Sequence, residues 1–246
     1  MGDAILLTVS APLSVVSRLL PGQFFNIVTR FPGSFDPLLR RPYSVYRAHL
    51  DAAALTFLVR PFGRGSAWLA ERTPGERLAM LGPLGNAFTI PKRAQRLLMI
   101  AGGVGVAPLV MLSDDAITRN LDVVFVMGAA NEAGLLVAAE LSGRIEYVVA
   151  TDDGSRGHHG LATEVIGDYV QWADEMYACG PEPMYRTLRA VVDPLRINRR
   201  PRVQVSVERG MACGLGACLG CVVETTHGMI ASCVKGPVFD LDEVIL

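Results

Sequence analysis

Residues 208–236 read ERGMACGLGACLGCVVETTHGMIASCVKG, and this stretch holds four of the five cysteines of the chain. Cys213, Cys218 and Cys221 have the spacing C-x4-C-x2-C, and eleven residues separate Cys221 from Cys233. In this spacing four thiolates can hold two irons and two inorganic sulfides. The intervening glycines permit the positive φ angles that a tight loop needs. The stretch therefore predicts a 2Fe-2S cluster on a small C-terminal unit.

Two other interpretations of these cysteines stay open, namely a structural zinc site and four unrelated buried thiols. Zinc sites usually use two C-x2-C pairs or a mixture of cysteine and histidine, and this stretch offers one such pair. His227 lies between the third and fourth cysteines. Because four thiolates already satisfy a cluster, we expect His227 to be an ordinary loop residue.

Composition indicates a protein of several parts with no bias toward polyanionic partners. The chain has 246 residues, 50% of them hydrophobic, which suffices for two compact units and an appendage. Its 23 basic and 24 acidic residues nearly cancel, so no large field favours nucleic acid or an anionic membrane. We find no secretory signal, and a glycine turn interrupts the one long uncharged run, residues 97–113. We expect a cytoplasmic protein with reduced thiols and no membrane span.

The pattern of apolar residues changes near residue 93. Before it, short apolar runs alternate with turns, namely AILLTV, QFFNIVTR, YSVYRA, ALTFLVR and ERLAML, which predict an antiparallel barrel. After it come RLLMIA, LDVVFVM, IEYVVA, DEMYAC and RVQVSV, separated by roughly helix-length segments, which predict a doubly wound parallel sheet. We expect a barrel over residues 1–92, a nucleotide-binding α/β domain over 93–206 and a cluster subdomain over 207–246.

Three ends of the predicted parallel strands form a candidate nucleotide site. Gly102, Gly103 and Gly105 make a turn between a strand and a helix, where backbone amides can meet a phosphate. Asp152 ends another strand, where its carboxylate can accept from ribose hydroxyls and repel a 2′-phosphate, which favours NAD(H) over NADP(H). Arg156 nearby leaves that preference open.

A further strand end carries Cys179 and Gly180. The side chain of Cys179 could lie beside a nicotinamide ring, or it could be a small buried residue that packs at the strand end. The sequence does not choose between these two interpretations.

The barrel segment RRPYSVY suggests a flavin site. Arg41 and Tyr43 fall on one face of the predicted strand and Ser44 on the other. An arginine can pair with a pyrophosphate, an aromatic ring can stack on a flat heterocycle, and a hydroxyl can reach a flavin nitrogen. Arg60 and Ser66 belong to a second segment that could cradle phosphate. The alternative is a barrel strand with routine polar side chains.

Together these segments resemble the ferredoxin reductase superfamily over essentially the whole chain. More narrowly, RPYS, GPLGNAF, GGVGVAPL, TDDGS, YACGPEPM and the cysteine spacing resemble the electron-transfer subunits of the NAD-linked, two-subunit dihydroorotate dehydrogenases. The resemblance implies cluster ligation by Cys213, Cys218, Cys221 and Cys233. It implies FAD bound by Arg41, Pro42, Tyr43, Ser44, Leu58, Val59, Arg60, Gly65 and Ser66.

The resemblance also implies a function in pyrimidine biosynthesis. We expect hydride transfer between NAD(H) and FAD, with Ser44 tuning the flavin nitrogen, and single-electron transfer between FAD and the cluster. The implied partner is an FMN-containing dihydroorotate dehydrogenase subunit in a heterotetramer. Two alternatives are a reductase subunit of a hydrogenase- or transhydrogenase-type complex and a zinc-stabilised nucleotide-binding regulator without electron transfer.

Overall fold

The computed structural model describes residues 1–195 and 201–246. Its first part is an antiparallel sheet of five strands, in the spatial order β1-β4-β3-β2-β5. The strands are β1 (Ile5–Ser10), β2 (Phe24–Ile27), β3 (Arg41–His49), β4 (Ala54–Val59) and β5 (Met80–Leu84). These are the five strands that the apolar runs predict, although β5 starts at Met80 and not at Glu76.

Alternating side chains give this sheet its own core. Residues of β1 alternate between half-buried and exposed positions, as expected for a strand that covers a core with one face. Phe25 and Phe57 pack edge to face with ring centroids 5.9 Å apart. The short helices α1 (Leu13–Val16) and α2 (Arg64–Ala70) add Val16 and Leu69 to the same apolar cluster.

The second sheet has seven strands, and all but one of its pairings are parallel. Six of its strands come from the middle of the chain: β6 (Arg96–Gly102), β7 (Asp122–Ala129), β8 (Glu146–Thr151), β9 (His158–His159), β10 (Glu175–Cys179) and β11 (Arg202–Ser206). The spatial order β11-β10-β6-β7-β8-β9 makes β6 and β10 neighbours. The chain reverses its direction of winding between these two strands, which is where open α/β sheets bind ligands.

Both faces of this sheet are covered, which confirms the doubly wound prediction. The helices that pack on this sheet are α3 (Val106–Thr118), α4 (Gly167–Trp172) and α5 (Glu182–Leu195). Leu97 and Met99 of β6 belong to the core that includes α3, whereas Leu98 and Ile100 belong to the core that includes α5. Two apolar surfaces on one central strand are therefore both buried.

The segment between β7 and β8 has the length of a helix, as predicted, but it does not form one. The chain makes two 3₁₀ turns there, over residues 132–134 and 138–140. The Asn131 side chain accepts the N–H of Gly134 and closes the first turn, and the backbone is extended at Leu135 and Val137. This local bond competes with helix formation, as asparagine side chains commonly do.

The C-terminal residues form a hairpin and then return to the large sheet. The hairpin is β12 (Val222–Thr225) with β13 (Gly228–Ala231), followed by α6 (Ser232–Lys235) and β14 (Val238–Asp240). β14 pairs antiparallel with β11 at the edge of the seven-stranded sheet. The proposed 207–246 subdomain thus contributes a strand to the α/β sheet. The residue ranges of the three domains stay a prediction.

A polar cluster joins the two sheets. Arg47 of β3 donates to Asp114 of α3 over 2.8 Å and to the Glu140 carboxylate over 2.8 Å. The hydroxyl of Tyr46 donates to the same Glu140 carboxylate over 2.9 Å. Because one arginine contacts two segments of the α/β part, the antiparallel sheet has a fixed orientation against α3. No helix in the described part of the chain has the length and apolar character needed to cross a membrane.

The glycine turn after β6 generates a stability prediction. A Cβ at Gly105 would lie 2.2 Å from the carbonyl oxygen of Cys179 at the end of β10. Gly105→Ala therefore overpacks the crossing of the two strand ends and should lower the free energy of unfolding by about 1–3 kcal/mol in urea denaturation. A Cβ at the exposed Gly143 meets nothing within 4 Å, so Gly143→Ala should change the free energy of unfolding by less than about 0.5 kcal/mol. Equal effects of the two substitutions would contradict this account.

Candidate functional site

Two adjoining cavities open at the carboxyl ends of the parallel strands. The first has a volume of about 510 Å³ and lies over the reversal point between β6 and β10. The second has a volume of about 650 Å³ and lies between the antiparallel sheet and α3. Arg60, Val104 and Glu208 line both. Ligands in the two cavities would therefore meet at these three residues.

Backbone at three strand ends makes much of the first cavity. Of the predicted nucleotide residues, Gly102, Gly103, Asp152 and Gly180 line it. Gly103 has a φ of +54°, a conformation that glycine adopts without a steric cost. The strand ends thus combine a glycine-rich surface, suited to phosphate, with one carboxylate, suited to ribose hydroxyls.

The other two residues predicted to bind the nucleotide lie behind the wall of the first cavity. Gly105 packs against the end of β10 and Cys179 is 2% exposed, and neither lines the cavity. Burial raises the pKa of the Cys179 thiol, and the Glu208 carboxylate raises it further. Cys179 therefore has the position of a small buried residue at a strand end, which was one of the two interpretations of it.

Tyr185 of α5 is a residue that sequence reasoning missed. Its buried hydroxyl accepts the N–H of Gly180 over 3.0 Å and donates to the carbonyl of Ser206 over 2.5 Å. Gly180 lines the first cavity and Ser206 lines the second. One phenol therefore fixes the ends of β10 and β11 relative to each other.

Six of the nine predicted flavin residues line the second cavity, and they are Arg41, Pro42, Tyr43, Ser44, Leu58 and Arg60. Residues from both faces of β3 reach this cavity, although the sequence placed Ser44 opposite Arg41 and Tyr43. Burial raises the pKa of Tyr43 to about 12, while the Arg41 guanidinium acts in the opposite direction. A neutral phenol and two guanidinium groups thus face a space large enough for a nucleotide cofactor.

The remaining three predicted flavin residues lie outside this lining. Val59 is fully buried in the core of the antiparallel sheet, and Gly65 packs against Thr29. The Ser66 hydroxyl accepts the N–H groups of Phe62 and Gly63 over 2.8 and 3.0 Å. Ser66 therefore shapes the loop that carries Phe62, and Phe62 is 97% exposed and lines the cavity.

Glu208 is the other residue that the sequence gave no reason to select. It lies two residues after β11 and lines both cavities, and burial raises the pKa of its carboxyl group. Its position at the start of the cysteine stretch is the only signal in the sequence. A carboxyl group is therefore present where the two cavities meet.

Cys213, Cys218 and Cys221 lie on a loop and Cys233 lies in the adjacent α6; together they are the four-cysteine loop, in which backbone N–H groups point at sulfur. The contacts are Leu215 N–H to Cys213 Sγ at 3.3 Å, Gly216 to Cys233 at 3.2 Å, Gly220 to Cys218 at 3.5 Å, and the N–H of Cys233 to Cys221 at 3.4 Å. Several hydrogen bonds lower the pKa of Cys213 to about 6, and the one from the N–H of Leu215 has the largest effect. Burial raises the pKa of Cys233 to about 11. Donors aimed at sulfur favour the thiolates that bind metal.

This arrangement fits a 2Fe-2S cluster better than zinc. A structural zinc ion gathers four ligands around one point. Here the Cys213 thiol hydrogen-bonds to that of Cys218, and the Cys233 thiol hydrogen-bonds to that of Cys221, so the four thiols form two pairs. A 2Fe-2S cluster divides its four thiolates between two irons. His227 is exposed in the turn of the β12–β13 hairpin, as expected for an ordinary loop residue.

Ser232 gives an independent indication of a bound group. Its hydroxyl is fully buried beside Cys233, and it has no hydrogen-bond partner among the residues described. Buried hydroxyls normally have a partner, and inorganic sulfide or thiolate sulfur can accept the missing bond. The residues at this loop therefore fit a cluster with acceptor atoms.

Comparison with family models supports both ligand sites. Residues 208–245 match the iron-sulfur cluster binding domain of dihydroorotate dehydrogenase B. Residues 99–190 match the oxidoreductase NAD-binding domain. The first match contains the four-cysteine loop, and the second contains the strand ends around the first cavity.

Similar sequences extend over nearly the whole chain. A protein of Bacillus caldolyticus named dihydroorotate dehydrogenase B (NAD(+)), electron transfer subunit, is 40% identical over 92% of this chain and 87% of its own length. The protein of that name from Geobacillus thermodenitrificans is 38% identical over 98% of this chain and 92% of its own length. The similarity therefore includes the antiparallel sheet as well as the two matched domains.

Solved structures share the same architecture. The NADH-dependent reduced ferredoxin-NADP oxidoreductase, described in connection with flavin-based electron bifurcation, superposes with a TM-score of 0.80 and 25% identity over 99% of this chain and 85% of that one. The ferredoxin reductase of carbazole 1,9a-dioxygenase gives a TM-score of 0.67 and 24% identity over 80% of this chain and 62% of that one. The expected ferredoxin reductase fold is thus confirmed.

The cysteine loop generates a ligand-binding prediction with an internal control. Cys218→Ala should remove most of the iron and acid-labile sulfide from the protein, because a 2Fe-2S cluster needs all four thiolates. Cys179→Ala should keep about two irons per chain, because the Cys179 thiol is buried at the end of β10. Iron and sulfide analysis after anaerobic purification measures both. Full iron content in Cys218→Ala would contradict the ligand assignment.

Proposed function

The chain belongs to the family of dihydroorotate dehydrogenase B (NAD(+)) electron transfer subunits, and we propose that it carries electrons between a catalytic partner subunit and NAD(H). This proposal rests on the spatial order of the two cavities and the four-cysteine loop. The glycine-lined cavity adjoins the cavity at β3, and the four-cysteine loop packs against β2, the strand paired with β3. FAD held at the second cavity would supply hydride exchange with NAD(H) and single-electron exchange with a 2Fe-2S cluster, and so would join a two-electron carrier to a one-electron carrier.

We assign FAD to the second cavity and give its residues separate tasks. Arg41 and Arg60 bind the pyrophosphate, Tyr43 stacks on a flat ring, and Ser44 donates to the flavin ring. Gly65, Ser66 and Val59 act indirectly by holding the loop and the strand that present these side chains. Leu58 and the α3 residues Ala107 and Pro108 give this cavity part of its apolar lining.

We assign NAD(H) to the first cavity. The backbone at Gly102, Gly103 and Gly180 binds phosphate, and Asp152 accepts from the ribose hydroxyls. Gly105 and Cys179 act from behind, because they let the turn after β6 approach β10 closely. Tyr185 hydrogen-bonds to Gly180 in the wall of the first cavity and to Ser206 in the wall of the second, and so fixes the two walls relative to each other.

We assign the 2Fe-2S cluster to Cys213, Cys218, Cys221 and Cys233, and we place the partner next to it. Leu215, Leu219 and Val234 are exposed apolar side chains of the same loop and of α6. Exposed apolar groups of this kind mark surfaces that bind other proteins. The partner is an FMN-containing subunit that oxidises dihydroorotate in pyrimidine biosynthesis, and the complex is a heterotetramer. We place it in the cytoplasm, where the ligand thiols stay reduced.

Activity of the complete complex tests the proposed function. The chain should be coexpressed with the FMN-containing dihydroorotate dehydrogenase subunit and purified without oxygen. Dihydroorotate should then reduce NAD+, and the partner alone should reduce an artificial dye but not NAD+. The assay follows NADH absorbance.

Two results would contradict the proposal. One is the absence of NADH formation in a complex that contains FAD, FMN and cluster iron. The other is electron transfer to a hydrogenase- or transhydrogenase-type partner with no response to dihydroorotate, which would favour the alternative complex.

The choice between NAD(H) and NADP(H) generates a separate prediction. Arg156 could bind a 2′-phosphate, but its guanidinium pairs with Glu132 over 2.9 Å. Glu132→Gln should raise the NADPH-to-NADH ratio of kcat/KM about twofold to fivefold, because such an exposed pair is worth up to about 1 kcal/mol. Glu76→Gln breaks a pair with Arg72 in the antiparallel part and should leave the ratio unchanged. An unchanged ratio in Glu132→Gln would show that Arg156 has no part in the preference.

A further inference from the structure

The amide of Asn26 is buried and has no partner. Asn26 lies in the middle of β2 and is 0% exposed. Its side-chain nitrogen and oxygen both lack a hydrogen-bond partner within residues 1–195 and 201–246. Buried amides in folded proteins are normally paired, so an unpaired one in a cofactor protein indicates that a bound group supplies the partner.

The direction of this amide follows from the alternation of β2. Phe25 and Ile27 belong to the core of the antiparallel sheet. Phe24 points the other way, into a small cluster with Met211, Cys221 and Cys233. Because side chains alternate along a strand, Asn26 shares the face of Phe24 and points toward the cysteine loop.

The loop lies against the amide. A Cβ at Gly214 would be 2.9 Å from Asn26 Nδ2, and Gly214 follows Cys213 directly with a φ of +75°. Asn26 lines neither of the two large cavities. The amide therefore contacts the loop of Cys213 and does not face the space assigned to FAD or NAD(H).

We propose that Asn26 donates a hydrogen bond from its side-chain amide to a sulfur of the 2Fe-2S cluster at Cys213 and thereby raises the reduction potential of the cluster. Thiolate and sulfide sulfurs accept hydrogen bonds, and the amide NH₂ is the donor that the buried face of β2 offers. Reduction adds one negative charge to the cluster, so a donor stabilises the reduced form more than the oxidised form. Asn26 is thus a positioning and tuning residue for a proposed cofactor, and this inference rests on the proposed function.

The test is a redox titration of the cluster in the two-subunit complex, followed by electron paramagnetic resonance. Asn26→Leu keeps approximately the volume of the side chain and removes the donor. We expect a lower midpoint potential, by about the 59 mV that corresponds to a tenfold change in the oxidised-to-reduced ratio of a one-electron couple. Iron and sulfide contents of about two per chain confirm that the variant is loaded.

Thr29→Val is the matched control. Thr29 is also fully buried near the end of β2, and its hydroxyl also lacks a partner in the described part of the chain. That hydroxyl lies next to Gly65, away from the cysteines. Thr29→Val should therefore leave the cluster potential at the wild-type value.

Two further measurements cover the case in which Asn26→Leu does not load its cluster. Asn26→Asp keeps the shape of the side chain and replaces the NH₂ donor by an oxygen, so it should also lower the potential. In the wild-type complex, protein labelled with ¹⁵N in the asparagine side-chain amides should show a ¹⁵N hyperfine coupling to the reduced cluster.

The outcomes separate this inference from the proposed function. A wild-type complex without a 2Fe-2S cluster would overturn both. A loaded wild-type cluster with no ¹⁵N coupling, or an unchanged cluster potential in a loaded Asn26 variant, would overturn only the role of Asn26. A shift of the flavin potential without a shift of the cluster potential would do the same.

Discussion

The packing of Phe24 against Met211, Cys221 and Cys233 is the contact on which the arrangement of sites depends. It holds a loop from the C-terminal part of the chain against β2, which lies near the N-terminus. Full burial of a phenylalanine side chain contributes about 1.5–3 kcal/mol, which is large for a contact between a loop and a sheet. Pairing of β14 with β11 anchors the same stretch on the other sheet. Because Phe24 and Met211 also line the second cavity, the cysteine stretch lies directly against the wall of that cavity.

The two cavities depend on close backbone approach at the reversal point between β6 and β10. Gly105 permits the crossing, and Tyr185 ties the ends of β10 and β11 through two hydrogen bonds. Few side chains therefore separate the cavities, and Arg60, Val104 and Glu208 belong to both. A hydride donor and acceptor need such direct contact, which a thicker wall would prevent. The carboxyl group of Glu208 adds a titratable group where the cavities meet.

Local patterns were enough to predict strands β1 to β8, β10 and β11, the sheet types and the cysteine loop, but not β9 or the three C-terminal strands. The spacing of Cys213, Cys218 and Cys221 is a property of nine consecutive residues, and the apolar run of β6 is a property of seven. Tyr185, Phe24 and Asn26 could not be selected in this way, because their roles arise from contacts with residues far away in the sequence. No helix forms between β7 and β8 for a local reason, since the Asn131 side chain closes a short turn there. Ser66 was selected as a FAD-binding residue, but it lies in α2, and its hydroxyl accepts the N–H groups of Phe62 and Gly63 and does not line the cavity.

The central claim is that two irons, held by the four C-terminal cysteines, lie on the Phe24 face of β2 beside the flavin cavity. Anomalous X-ray diffraction from crystals of the cofactor-loaded protein, recorded on both sides of the iron absorption edge, measures this directly. The account predicts two iron peaks enclosed by the sulfurs of Cys213, Cys218, Cys221 and Cys233, next to Phe24. A single zinc peak at these cysteines, or iron at another place in the molecule, would contradict it.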